Sequence, residues 1–189
     1  MKTVLAALNA KYTHTSLALR YLAAASRGFD VEVVEYNINQ DLAQIAADIS
    51  ERQPRILGLS CYIWNITQVL QIVSDLRLVH PGLVVVLGGP EVSFDVEYWL
   101  REHQEVDFIV AGEGEEAWPA FLGLWEQTGG QPALQQLQAI PGLAFRWEGV
   151  VHQNPTKHVD LEKVPAAYSD VDGLESRIVY YETTRGCPF

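Results

Sequence analysis

Apolar runs of strand length alternate with segments of helical spacing over most of the chain. The runs predict five strands, at residues 3–8, 31–36, 56–60, 83–87 and 107–111. The fourth of them is continuously apolar, which is typical of a strand buried on both faces of a sheet. The segments between and after them place apolar residues on one helical face. They predict five helices, at about residues 16–27, 41–52, 65–79, 96–103 and 115–127.

Strands that alternate with helices predict an α/β fold with parallel strands, because each parallel pair needs a crossover connection. The most economical arrangement is a flavodoxin-like or Rossmann-like five-stranded parallel sheet with helices on both faces. We assign residues 1–128 to this domain. Residues 129–176 then predict a small β-hairpin, formed by 143–147 and 150–152, and an extended linker. Residues 177–189 begin as a further strand.

The last residues lead from that strand into a glycine turn that carries Cys187. The turn leads into no further element, and the apolar Phe189 has nothing to pack on. We therefore expect the chain to be one part of a larger protein, with its end falling within a site of that protein.

Composition and charge exclude several classes of partner. The formal net charge of −11 argues against nucleic acid, because phosphate binding needs clustered lysine and arginine. No stretch approaches the roughly 20 apolar residues of a membrane span. The two cysteines form no disulfide framework, so we expect a cytoplasmic location.

The candidate site lies where the parallel strands end, since open α/β sheets bind ligands beyond the carboxyl ends of their strands. Glycines there let the backbone approach a ligand, and Tyr62 and Trp64 offer flat apolar surface with a polar tip. The pattern predicts a large, planar and mostly uncharged ligand. The candidate ligand-binding residues are Asn9, His14, Ser60, Tyr62, Trp64, Asn65, Gly88, Gly89, Pro90, Gly112, Glu113 and Gly114.

Most nucleotide-binding sites fit these loops poorly. The chain has neither a phosphate-binding P-loop nor a dinucleotide-binding G-x-G-x-x-G after the first strand. A phosphoacceptor site would need acidic residues where Asn9 and Ser60 stand. A loop that binds the phosphate of FMN stays an alternative, because Thr13, Thr15 and Ser16 supply hydroxyl groups after the first strand.

Two further groups have ordinary structural explanations. Cys61 is typical of a small apolar core residue. Glu113, Glu115 and Glu116 precede a predicted helix, where the helix dipole stabilises carboxylates. We therefore assign none of these residues an acid–base role.

Several segments, taken in their order, resemble the cobalamin-binding domain that precedes a radical SAM barrel. The resemblance covers essentially the whole chain, and residues 8–14 are similar to one uncharacterised branch of that family. Each motif is short, but the ordered set is fairly specific. The segments that carry the resemblance are residues 88–90, 107–115, 140–143, 160–165 and 184–189.

The resemblance implies cobalamin as cofactor of this chain. It also implies that Cys187 is the first thiolate of a C-x-x-x-C-x-x-C motif that holds a [4Fe–4S] cluster, since thiolates are the usual ligands of such clusters. The cluster and S-adenosylmethionine would belong to the full-length protein only. The implied partners are the barrel of the same chain and an unknown substrate. The full-length protein would transfer a methyl group or assist radical chemistry, whereas this chain alone would not be catalytic.

The loop after the first strand departs from the D-x-H-x-x-G pattern of related cobalamin domains, in which the histidine ligates cobalt. Tyr12 stands where that pattern has aspartate, and Leu17 stands where it has glycine. We therefore expect no bond between His14 and cobalt, with neighbouring side chains covering that face of the corrin.

The resemblance also implies where the cofactor lies. Its nucleotide tail would enter the sheet edge past Ser60, Gly88 and Gly89, and the corrin would lie near Tyr62 and Trp64. Two other functions stay open. One is a domain without cofactor that docks or shapes substrate for the barrel, and the other is a flavodoxin-like module that binds FMN.

Overall fold

The computed structural model describes residues 1–168 and 174–185. Within them, seven strands form a sheet in the order β2-β1-β3-β4-β5-β6-β7. Strands β1 to β5 pair in parallel, which confirms the flavodoxin-like order predicted for them. The strands are β1 (Thr3–Asn9), β2 (Val31–Asn37), β3 (Ile56–Ser60), β4 (Val84–Gly88), β5 (Phe108–Val110), β6 (Leu143–Trp147) and β7 (Val150–Gln153).

Three of the described helices begin where the sequence supplies a capping side chain. Ser16, Asp41 and Asp95 each accept a hydrogen bond from a backbone N–H in the first turn of the helix that follows. None of the helices in the described part of the chain is long and apolar enough to cross a membrane. The helices are α1 (Leu17–Ala25), α2 (Leu42–Glu51), α3 (Ile66–Val79), α4 (Pro90–Ser93), α5 (Val96–Glu102), α6 (Ala117–Gln127) and α7 (Leu134–Gln138).

The hairpin β6–β7 belongs to the main sheet, so the predicted count of five strands is too low. Strand β6 pairs antiparallel with β5, with Phe108 opposite Phe145. The guanidinium of Arg146 donates to the carbonyls of Gln104 and Val106, which ties the hairpin to the segment before β5. The hairpin thus covers the apolar edge that β5 would otherwise expose.

The pleat of the sheet divides the core into two layers. On β4, Val85 and Leu87 pack in the layer with α2, α3 and α5, whereas Val86 packs in the layer with α1 and α6. Successive strand residues point to opposite faces. Gly58, Ser60 and Gly88 therefore lie on the α1/α6 face, where the central strands carry small side chains.

The segment after the hairpin crosses the carboxyl edge of the parallel strands. The sequence pattern predicts a strand from about residue 177, but among described residues 174–185 the β pairing is an isolated parallel bridge between Ile178 and His14. The reason is that this segment meets the loop after β1 and not the edge of the sheet.

Gly89 is the glycine whose backbone the site depends on most. Its φ is +107°, and an added Cβ would lie 2.5 Å from the carbonyl oxygen of Cys61. We expect Gly89→Ala to lower the free energy of unfolding by about 2 kcal/mol or more, since both strain and a backbone clash oppose it. Urea unfolding checks this, with Gly82→Ala as control, because an added Cβ there meets nothing within 4 Å. Equal free energies of unfolding for the two variants would contradict this expectation.

Cys61 follows β3 and lies in the core layer with α2 and α3, as expected of a small apolar residue. Its side chain is fully buried, and that burial raises the pKa of the thiol well above its ordinary value. We therefore expect Cys61 to resist iodoacetamide at pH 8 in the folded protein and to react in urea, because the thiolate is the reactive form. Peptide mass spectrometry measures both labelling rates. Rapid labelling of Cys61 without denaturant would refute the assignment.

Candidate functional site

A cavity of about 690 Å³ opens at the carboxyl edge of the parallel strands. Its sheet wall includes Gly58, Ser60 and Gly88, and its opposite wall includes Leu22 of α1 and Trp118 of α6. The volume lies within the roughly 300–1,000 Å³ of typical small-molecule sites. The cavity therefore occupies the place where an open α/β sheet binds its ligand.

Small residues leave this space open. An added Cβ at Gly88 would meet only the carbonyl oxygen of Val110, at an ordinary 3.5 Å, so a larger side chain there would extend into the cavity. At Gly114 the missing side chain allows close packing, since an added Cβ would lie 2.9 Å from the side chain of Leu22. Glycine at that position lets the loop after β5 approach α1 and close one end of the cavity.

Two polar atoms in the cavity-lining residues lack partners. The hydroxyl oxygen of Ser60 and the indole nitrogen of Trp118 are buried and form no hydrogen bond within the described residues. Such groups are costly to bury unless something satisfies them. A hydroxyl and an indole N–H in an otherwise mostly apolar cavity fit a ligand that has a flat apolar part and a few hydrogen-bonding atoms.

The rim of the cavity carries a cluster of charges around Arg185. Its guanidinium lies 2.5 Å from a carboxylate oxygen of Glu115, 2.7 Å from Glu182 and 3.8 Å from Glu113. It also lies over the ring of Tyr21, 4.9 Å from the centroid. Burial by itself would lower the pKa of Arg185, but hydrogen bonds with Glu115 and Glu182 together hold it above its ordinary value. Arg185 therefore stays charged and joins the loop after β5 to the end of the described chain.

The structure brings most of the predicted ligand-binding residues to this cavity. They come from loops that are separate in sequence but meet at one edge of the sheet. Their binding of a ligand stays a prediction. The predicted residues that line the cavity are Ser60, Tyr62, Gly88, Gly89, Pro90, Gly112, Glu113 and Gly114.

Asn65 does not line the cavity but holds its edge in place. Its side-chain oxygen accepts from the backbone N–H of Tyr62 at 2.8 Å. Its side-chain nitrogen donates to the carbonyls of Leu8 and Ser60, both at 3.1 Å. Asn65 thus joins the ends of β1 and β3, because one amide can bond both strands and the loop between β3 and α3.

Asn9 and His14 lie beside the cavity and do not line it. The side chain of Asn9 donates to the carbonyl of His14 at 2.9 Å. The Nδ1 atom of His14 lies 3.2 Å from the hydroxyl of Tyr180. Both residues therefore hold the loop after β1 against the last described segment.

Trp64 forms a stacked aromatic pair with Tyr62 at the mouth of the cavity. The ring centroids are 4.4 Å apart and the planes differ by 10°. Tyr62 lines the cavity, and burial raises the pKa of its hydroxyl. Trp64 lies outside and is half exposed. The pair presents the flat apolar surface that the sequence predicts.

Sequence reasoning missed the residues that complete the cavity. Gly58, Tyr21 and Trp118 lie within predicted strands and helices, where the hydrophobic pattern indicates only core packing. Glu182 and Arg185 lie far along the chain from the loops they meet. A signal existed for Trp118, because a tryptophan buried among apolar residues leaves an N–H that needs a partner.

Cys187, the predicted cluster ligand, lies outside the described residues. Residues 1–168 and 174–185 contain no group of three or more side chains placed to hold a metal ion.

Sequence comparison places the chain among cobalamin proteins. The model of the B12 binding domain matches residues 3–122. The chain is 28% identical to 2-(S-pantetheinyl)-carbapenam-3-carboxylate methyltransferase of Streptantibioticus cattleyicolor, covering 86% of this chain and 24% of that protein. It is 30% identical to the cobalamin-dependent radical SAM methyltransferase TokK of Streptomyces tokunonensis, covering 72% of this chain and 21% of TokK.

An uncharacterized methyltransferase of Pyrococcus horikoshii is 28% identical, over 94% of this chain and 39% of that protein. The chain thus spans less than half the length of these relatives. Among solved structures, the cobalamin-dependent S-adenosylmethionine radical enzyme OxsB superposes with a TM-score of 0.66, over 87% of this chain and 23% of OxsB. At 18% identity that likeness shows the fold alone. Because the family model matches well over half of its residues, the chain belongs to the B12 binding domain family.

Proposed function

We propose that this chain binds cobalamin in the cavity at the carboxyl edge of its sheet. The observation that carries the proposal is the mostly apolar cavity itself, and two of its lining residues, Ser60 and Trp118, have buried polar side-chain atoms without a partner among the described residues. The chain belongs to a family named for cobalamin binding, and these groups fit the hydrogen-bonding atoms of the cofactor's nucleotide tail. The described residues offer neither atom a hydrogen-bond partner.

The chain's own residues would hold the cofactor by shape and by a few polar contacts. The nucleotide tail would pass Ser60, Gly88 and Gly89, where small or absent side chains leave room for it. The corrin would lie at the mouth, against the stacked pair of Tyr62 and Trp64. The apolar walls would exclude water from the tail, and the two polar atoms would fix its orientation.

When bound, cobalamin supplies a cobalt centre that accepts and donates a methyl group. The protein's contribution is to position and shield that centre. We propose that the larger protein is a radical SAM enzyme, in which this domain carries the methyl group or assists radical chemistry. The names of the relatives TokK and the carbapenam methyltransferase support this proposal. Cys187 would then provide one thiolate of a [4Fe–4S] cluster, and the barrel would bind S-adenosylmethionine and substrate.

The two other functions that the sequence leaves open are less well supported. Two of the three hydroxyls of the possible FMN phosphate loop are already used, because Thr15 donates to the carbonyl of Ile178 and Ser16 caps α1. A domain without cofactor would leave the polar atoms of the cavity unsatisfied.

Cofactor retention separates these functions. We expect the chain to retain hydroxocobalamin but not FMN after mixing and desalting, as measured by absorbance. Gly88→Val should weaken cobalamin binding about tenfold or more, because the added methyl groups fill the cavity. Gly82→Val is the matched control, at a glycine with open space around it. A folded Gly88→Val variant that binds as tightly as the unsubstituted chain would refute the placement of the tail.

We also expect bound cobalamin to have no bond from His14 to cobalt. His14 does not line the cavity, and Tyr12 and Leu17 stand where the ligating pattern has aspartate and glycine. Electron paramagnetic resonance of the reduced, cobalt(II) complex should show no nitrogen superhyperfine splitting. His14→Ala should leave the spectrum unchanged, as should the control His103→Ala. Nitrogen splitting that disappears only in His14→Ala would contradict this expectation.

A further inference from the structure

Residues 177–185 run across the mouth of the cavity and are tied down at both ends. At the first end, the backbone N–H of Ile178 donates to the carbonyl of Thr13 at 2.6 Å. The hydroxyl of Thr15 donates to the carbonyl of Ile178 at 3.0 Å, and Arg177 donates to the carbonyl of His14 at 3.2 Å. These bonds join the segment to the loop after β1, largely through backbone atoms.

The second end is tied down through a single side chain. Arg185 contacts the carboxylates of Glu113 and Glu115 in the loop after β5, and Glu182 within the segment itself. Only 14% of the Arg185 side chain and 9% of the Glu115 side chain are exposed. A partly buried, charge-assisted contact of this kind is stronger than an ion pair on the open surface.

Between its two ends the segment has little packing beneath it. A second cavity, of about 530 Å³, lies against residues 161–168 of the linker. Leu17, Tyr21, Glu182, Thr184 and Arg185 line both cavities, so the segment forms the wall between them. Tyr181 is 80% exposed. With space on both sides, the charge contacts of Arg185 are the contacts among described residues that oppose outward movement of residues 181–185.

We propose that residues 181–185 form a strap that closes the cofactor cavity, with Arg185 as its latch. The strap turns about the anchored residues 177–180, and the cavity opens when the guanidinium leaves Glu115 and Glu113. Opening is costly because it leaves neighbouring carboxylates without their cation. The strap therefore governs how fast a bound ligand enters and leaves more than how tightly it binds. This inference rests on the proposed function, since it takes the ligand of the cavity to be cobalamin.

The test measures exchange rates of hydroxocobalamin on the full chain, followed by absorbance. Arg185→Met should increase both the association and the dissociation rate about tenfold or more, while the dissociation constant changes by less than about threefold. Arg185→Lys should be intermediate, because lysine keeps the charge but cannot bridge three carboxylates.

Arg101→Met is the matched control. It removes the same charge from an exposed i,i+4 pair with Glu97, on a helix outside the cavity wall. The exchange rates of this variant should equal those of the unsubstituted chain. If both variants leave the rates unchanged, or if Arg101→Met accelerates them as much as Arg185→Met, the latch is refuted.

Limited proteolysis without cofactor keeps the two proposals separable. Chymotrypsin should cleave Arg185→Met after the exposed Tyr181 faster than it cleaves the unsubstituted chain, because a released strap adapts to the protease more readily. If the unsubstituted chain fails to bind cobalamin but Arg185→Met is cleaved faster, the strap stands and the proposed function falls. If cobalamin binds but neither the cleavage rate nor the exchange rates respond to Arg185→Met or Arg185→Lys, the proposed function stands and the strap falls.

Discussion

The small side chains on one face of the two central strands are the constraint on which the site depends. Gly58, Ser60 and Gly88 lie on the α1/α6 face of β3 and β4, while the opposite face carries larger apolar side chains that pack against α2 and α3. Helices pack closely on a sheet only where side chains fill the space between them. The missing volume on this face therefore becomes a cavity, and its position at the carboxyl edge makes it accessible from the loops.

The loop after β5 links the cavity to the rest of the chain. A carboxylate oxygen of Glu113 accepts from the backbone N–H of Val159 at 2.6 Å, and Glu116 lies 2.9 Å from Lys157. Arg185 adds the last described segment to the same loop. The acidic residues before α6 are near a helix N-terminus, where carboxylates are stabilised, but here they also hold the linker across the edge of the sheet. A change in this loop would thus affect cavity and linker together.

Local pattern was sufficient for the parallel strands and for most helices, because a strand buried on both faces is a continuous apolar run. The same reasoning missed α4 and α7, which have four and five residues and are too short to show a helical repeat. It also predicted the hairpin but not its position in the sheet, since nothing in residues 143–153 indicates that β6 pairs with β5. Pairing between distant strands depends on which edge remains free, and that is a property of the whole sheet.

The sequence by itself determined the α/β fold, the order of its elements and the loops at which a ligand site would lie, because these follow from periodicity and from the topology of parallel sheets. Tertiary structure decided which of those loop residues reach the cavity. Asn65 and His14 have the polar side chains of a binding site, yet both are engaged by neighbouring chain segments. Trp118 and Arg185 have roles that only packing reveals, because one meets the cavity from inside a helix and the other meets Glu115 from 70 positions away in the sequence.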